Sequence, residues 1–146
     1  MFSHEDPSMV KKLVEAAQNN ELFNTFVPLS SGKWDYDTAV NEWGTKWEAS
    51  VHDAHQVDGY ADLFFETAWS PPIEFYEAMT KLGFKVDATY NEPGVSFAGR
   101  YNEDGDYFVE YDFGNENWRD SVEDDVVLDL LENEYDNYLM WMEEEK

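Results

Sequence analysis

Near the end of the chain, Asp125, Asp129, Glu132, Asp136 and Glu143 follow one another at intervals of four, three, four and seven residues. On a helix advancing 100° per residue they share one face. Carboxylates three or four residues apart on a helix stand about 5–6 Å from each other, a spacing close to that of phosphates along a nucleic-acid strand. A rigid row of them could occupy the Lys/Arg channel of a nucleic-acid-binding protein. Val127, Leu131, Tyr135, Tyr138 and Met142 form the opposite stripe, which can be buried while the acids face water. Exposed helix faces usually mix signs, because Glu–Lys pairs stabilise them by ~0.2–0.5 kcal/mol and like-charge neighbours cost a similar amount. Here no Lys or Arg lies between Arg119 and Lys146. Asp104 and Asp106, flanking Gly105, are read as auxiliary acids of the same surface.

Other reactive groupings are weaker. His52 and His55 are three residues apart, with Asp53 and Asp58 nearby. That spacing puts two imidazoles on one face of a helix but on opposite sides of a strand, so a structural or incidental role is expected and no metal is assigned. Neither Gly105 nor Gly114 follows the ligand array of an EF-hand. There is no G-x-S-x-G, P-loop or G-x-G-x-x-G. With 33 acids, carboxylate pairs arise by number alone and do not indicate a glycosidase. No catalytic residue and no cofactor are assigned, and the expectation is a protein that is not an enzyme. Most aromatics fall at core periodicity; Trp118, in a polar loop, and Trp141, off the apolar stripe, are expected as exposed anchors.

The composition narrows the partners. The net charge is −24, beyond the magnitude of about 2–8 that serves solubility in small domains. Of the 33 acids, 17 lie in residues 101–146, beside two of the nine bases. Such a polyanion is repelled by DNA, RNA and anionic membranes. A 17% aromatic content argues against disorder, and 146 residues suit one domain with a real core. The absence of cysteine excludes disulfides and thiolate chemistry. With no leader and no apolar span, a cytoplasmic location is expected.

The elements that must position these groups read in the order αα-ββ-α-βββ-α. A first helix starts after Asp6, with Pro7 at its first position, and a second covers Asp35–Trp43, stopped by Gly44. Strands follow at Lys46–Val51 and Tyr60–Trp69 around the Asp58-Gly59 turn. Ser70-Pro71 opens a third helix that Gly83 closes. Strands at Phe84–Asn91, Val95–Tyr101 and Tyr107–Phe113 come next, then a helix over about Val122–Glu144 capped by Ser121 or Asp120. This is an α+β class, an antiparallel sheet packed on helices, in a single domain of residues 1–146 whose segment 120–146 is an acidic terminal helix.

Three segments carry a resemblance. Glu42-Trp43-Gly44-Thr45-Lys46-Trp47-Glu48, Phe65-Glu66-Thr67-Ala68-Trp69-Ser70-Pro71-Pro72, and Tyr90-Asn91-Glu92-Pro93-Gly94 with Phe97-Ala98-Gly99 resemble the signatures of the YubB-type ferredoxin-like domain family of plasmid and phage proteins. The resemblance covers about residues 42–101. It implies a ferredoxin-like α+β sandwich and a mobile-element origin, without an activity. Members usually begin with an extra strand, whereas this chain is expected to begin directly with its helix. Trp47 and Trp69 are expected to meet across paired strands.

The reading is a phage- or plasmid-encoded acidic binding protein that mimics a nucleic-acid backbone. Its partner would be a basic nucleic-acid-binding host protein of the restriction or CRISPR type, which it inhibits. The alternative is a non-catalytic interaction or structural module whose acidity reflects solubility or a halophilic origin. Scarce lysine fits that alternative; the rich aromatic supply fits it less well.

Overall fold

The computed structural model describes residues 1–144, so the last two residues of the acidic segment lie outside the described residues. Contacts gather the chain into two compact units, Met1–Asp87 and Ala88–Lys146.

The first unit runs β1 (Phe2–Ser3), α1 (Pro7–Gln18), α2 (Leu22–Phe26), α3 (Tyr36–Trp43), β2 (Ser50–Val57), β3 (Tyr60–Glu66), α4 (Ile73–Lys81) and β4 (Lys85–Val86). Its antiparallel sheet has the order β2-β3-β1-β4. Setting aside the short α2 and α3, this is the β-α-β-β-α-β arrangement of ferredoxin-like folds. The expectation that the chain begins with a helix is corrected by β1. Two residues are too few to show a period, yet Phe2 pairs with Ala61 on one side and Val86 on the other. Its ring is buried among Phe75, Tyr76 and Phe84.

Local signals explain most helix ends. The Asp6 carboxylate accepts the Ser8 amide and so caps α1, whose Val10, Leu13, Val14 and Ala17 are buried. Asp35 caps α3 in the same way through Thr38. Gly44 ends α3 at φ 84°, and a Cβ there would stand 3.0 Å from the Ile73 backbone nitrogen at the start of α4, so the left-handed turn, and the close approach of α4 beside it, favour glycine. Helix α2 was not expected. A distant residue supports its start: the Glu48 carboxylate accepts the Phe23 and Asn24 amides at 2.6 and 3.0 Å. Burial pushes the Glu48 carboxyl up, against the pull of those bonds.

Strand boundaries moved more. The expected strand Lys46–Val51 lies mostly ahead of β2, which starts at Ser50 and carries a bulge between Val51 and Asp53; the bulge breaks the simple alternation. Strand β3 stops at Glu66, short of Trp69. Thr45, fully buried, holds the connection beyond it: its hydroxyl donates to the Ala68 carbonyl at 2.9 Å and accepts the Ala68 amide at 3.1 Å. The Ser70 hydroxyl donates to the Gly44 carbonyl. Trp47 and Trp69 therefore lie outside the paired strands, in loops these bonds tie together.

The second unit contains β5 (Ala88–Glu92), β6 (Phe97–Asn102), β7 (Gly105–Glu110), a 3-10 turn at Trp118–Ser121, and α5 (Asp125–Glu144). Strands β5-β6-β7 form an antiparallel sheet of their own. The single strand expected over Phe84–Asn91 is thus two, β4 and β5, in different sheets. A core of Ala98, Val109, Tyr111, Trp118, Val122, Val127 and Leu131 joins this sheet to the first half of α5. Trp118, expected as an exposed anchor, is only 2% exposed and belongs to that core. Helix α5 starts later than expected: Asp124 accepts the Val126 and Val127 amides, while Ser121 is engaged with the Trp118 carbonyl inside the 3-10 turn.

Candidate acidic interface

Helix α5 displays the acidic row because its other face has a core to cover. Val127 and Leu131 are fully buried, and Tyr135 packs on the same cluster. Asp125, Asp129, Asp136 and Glu143 are exposed. At about 1.5 Å of rise per residue the row from Asp125 to Glu143 is about 27 Å long, and its members fall within an arc of about 60°. Among the described residues no basic side chain forms an ion pair with any of these four.

Glu132 differs. Arg119, projecting from the 3-10 turn, engages it through Nε and through Nη2 at 2.9 Å, and its guanidinium lies over the rings of Trp118 and Tyr135. The Arg119 hydrogen bond lowers the Glu132 carboxyl pKa and raises that of the guanidinium in return. Although no base lies within the helical segment itself, repulsion along this face is relieved at this position, because the turn before α5 folds Arg119 back against the helix. Arg100 neutralises Asp124 in a similar way, at 3.5 Å.

Asp104 and Asp106 sit at the β6–β7 turn. The Asn102 side chain accepts the Asp104 amide, and Asp106 accepts the Tyr90 hydroxyl at 2.7 Å. Gly99 makes that bond possible: a Cβ there would fall 2.3 Å from the Tyr90 ring. Burial raises the Asp106 carboxyl pKa, opposed by the Tyr90 bond. The adjacent Tyr107 hydroxyl accepts the Glu123 amide at 2.9 Å, which ties this turn to the chain entering α5. Asp106, next to Tyr107 in the strand, points to the opposite face of the sheet, that of Tyr90, Gly99 and Phe108, so the fold does not bring it into the row on α5.

On the side of α5 turned away from the row, where Glu134, Asn137, Tyr138 and Trp141 project, lies a feature not legible in the sequence. A cleft of about 540 Å³ is bounded by Tyr111, Phe113, Tyr138 and Trp141, with Glu134, Asp112 and Asn137 among its polar groups. Tyr111 and Phe113 are 4.6 Å apart, and Phe113 and Tyr138 5.4 Å. Trp141 is 54% exposed, as its off-stripe position suggested. Burial first, then the charges of Glu134 and Glu92, push the Tyr111 phenol up to about 12. A cleft with aromatic walls and carboxylates suits a guanidinium or ammonium group. Its signal in the sequence was too diffuse to find, because Tyr111 and Glu134 meet only after the sheet and α5 pack.

The two histidines occupy different surroundings on the β2–β3 hairpin. His52 lies 3.4 Å from Glu66, and His55 lies 3.1 Å from Asp53 and 3.8 Å from Asp62. Among the described residues no group of three or more His, Cys, Asp or Glu is placed to hold a metal ion. No helix of the described residues is long and apolar enough to cross a membrane.

Residues 42–130, more than half of the chain, match the family model described as a ferredoxin-like domain in Api92-like protein. That description specifies a fold and a protein likeness, and no reaction. No curated protein and no solved structure matches the chain.

Proposed function

The chain belongs to this family of ferredoxin-like domains in Api92-like proteins, and we propose that it acts as an acidic binding protein mimicking a nucleic-acid backbone. Its YubB-type placement and its phage or plasmid origin are part of the same proposal, as is action in the host cytoplasm. The observation that carries the reading is the row of exposed carboxylates Asp125, Asp129, Asp136 and Glu143, none of them in an ion pair among the described residues, on a helix anchored by Val127 and Leu131. Rigidity matters because a pre-ordered array loses little conformational freedom on binding. Unbalanced charge also speeds encounter with a basic partner.

The target is a basic, nucleic-acid-binding defence protein of the restriction or CRISPR type. Carboxylates of α5 occupy its phosphate-binding cations. Asp104 and Asp106 are auxiliary acids of the proposed contact, and Glu132, whose charge Arg119 already balances, completes the row.

The test adds the protein to DNA cleavage reactions run by purified restriction endonucleases and CRISPR effectors. The expected result is inhibition that excess DNA relieves and that moderate salt weakens. Asp129→Lys, Asp136→Lys and Glu143→Lys together should abolish it in a protein that still folds. Inhibition by that variant equal to the parent's would reject the helix as the contact. Inhibition of none of the enzymes, together with a melting temperature that climbs steeply to molar salt, would favour acidity as an adaptation to a saline habitat.

A further inference from the structure

Trp47 and Trp69 share one cation. The Lys46 ammonium lies 4.4 Å from the Trp47 ring centroid and 4.2 Å from that of Trp69. Both rings are out in solvent: Trp69 is 74% exposed and Trp47 52%. Trp34, also exposed, donates its indole N–H to the Lys46 carbonyl at 2.9 Å, fixing the backbone from which Lys46 and Trp47 project. On the other side, the Thr45–Ala68 and Ser70–Gly44 bonds fix the loop that carries Trp69.

Trp69 stands at φ 69°, the left-handed region that bulky side chains avoid. Strained backbone at a displayed side chain points to a task other than packing, since a ring so exposed returns little burial to the fold. Two indoles on fixed loops, with their faces on one ammonium, are a cation-binding arrangement.

We propose that Trp47 and Trp69 form a clamp for the cationic side chain of a basic partner, an arginine guanidinium or a methylated ammonium, and that Lys46 is the chain's own placeholder in it. The argument is one of exchange. A primary ammonium is strongly hydrated and gains by returning to water, whereas guanidinium is planar, weakly hydrated and stacks on aromatic faces. Methylated ammonium groups are the typical guests of aromatic cages. The chain's charge of −24 concentrates cations at its surface and disfavours anionic guests. Lys46 is tethered next to Trp47, so it competes at an effective concentration of about millimolar or above. It therefore sets a threshold: dilute monovalent cations are kept out, and a cationic side chain already held by other contacts with the partner gets in. The clamp uses no residue of the acidic helix, so it stands or falls separately from the mimicry reading.

The experiment titrates tetramethylammonium chloride and N-acetyl-arginine amide, at constant ionic strength, into protein labelled with 15N at tryptophan. The indole N–H resonances of Trp47 and Trp69 report the clamp, and those of Trp43 and Trp118 report the fold. In Lys46→Ala, with the placeholder gone, both probes should shift Trp47 and Trp69 saturably, at concentrations about tenfold lower than in the parent. Adding Trp69→Ala should remove the response. Lys46→Gln, which keeps the side-chain length, serves if the alanine variant fails to fold. Three results overturn the proposal: no response of Trp47 and Trp69 in folded Lys46 variants, a response no stronger than the parent's, or equal binding of neutral N-acetyl-proline amide.

Discussion

Replacing Asp129 and Asp136 by Asn and Glu143 by Gln takes three charges from the exposed face of α5 and changes the net charge from −24 to −21. If each carboxylate answers one cation of the partner, the logarithm of the association constant falls with the logarithm of salt by about 0.9 per charge, on the scale set by duplex DNA. Three charges then account for a slope of about 2.7. Between 50 and 200 mM salt, a fourfold change, that amounts to about 40-fold in affinity. Fluorescein-labelled deca-arginine is a suitable probe, with its Kd read by anisotropy at several salt concentrations. The triple variant should show a shallower slope by between two and three, and an affinity closest to the parent's at the highest salt.

Two controls separate recognition of the row from bulk charge. Glu5→Gln, Glu15→Gln and Glu77→Gln remove three exposed acids from the first unit and give the same net charge. They should leave most of the slope in place. Arg119→Gln with Glu132→Gln removes a mutually bonded pair without altering net charge, and should leave the slope unchanged. A slope reduced equally by the two triple variants would refute the claim that the α5 row is what a polycation reads. Circular dichroism should show both variants folded, since removing like charges from a helix face relieves repulsion.

Three further outcomes follow from particular contacts. The Trp43 indole donates to the Val27 carbonyl at 2.8 Å, whereas the buried Trp118 indole has no hydrogen-bond partner. Trp43→Phe should therefore destabilise the protein by about 1 kcal/mol more than Trp118→Phe in denaturant unfolding; equal losses would contradict that contrast. At Trp69, glycine and alanine both delete the indole, but only glycine relieves the left-handed backbone. Trp69→Gly should be more stable than Trp69→Ala by about 1 kcal/mol, and the reverse order would show that this loop carries no strain. Because burial raises the Glu48 carboxyl above its usual 4.5, the folded state binds a proton over a window in which the unfolded chain has released it. Stability must then fall as pH rises from the ordinary glutamate range through the raised value. The difference in unfolding free energy, parent minus Glu48→Gln, should be largest on the acidic side of that window and decline across it; a difference that grows with pH would reverse the assignment.

Local rules placed much of this molecule. Asp6 with Pro7, Asp35, Gly44 and the Asp58-Gly59 turn fixed helix starts, a helix stop and a hairpin through interactions spanning a few residues, which a linear sequence displays. The acidic stripe of α5 and the first half of its apolar stripe were legible for the same reason, since a helix converts spacing directly into faces; Met142, at the far end of the apolar stripe, is exposed because the core stops short of it. Antiparallel sheets with packed helices and a ferredoxin-like family assignment also agree with the sequence reading.

What escaped the sequence depends on partners far along the chain. Strand β1 exists because Phe2 finds Ala61 and Val86 on its two sides, and α2 is supported by a carboxylate more than twenty residues away. Trp118 looked exposed because its neighbours are polar, yet the packing of α5 on the second sheet buries it. Arg119 became the partner of Glu132 only when the 3-10 turn brought it back along the helix. Composition and period determined how much charge this protein carries and on which face of α5 it lies. Tertiary packing decided which of those charges are cancelled, which aromatics stay in solvent, and where a cation already rests against two of them, because each of these depends on distances that sequence spacing does not encode.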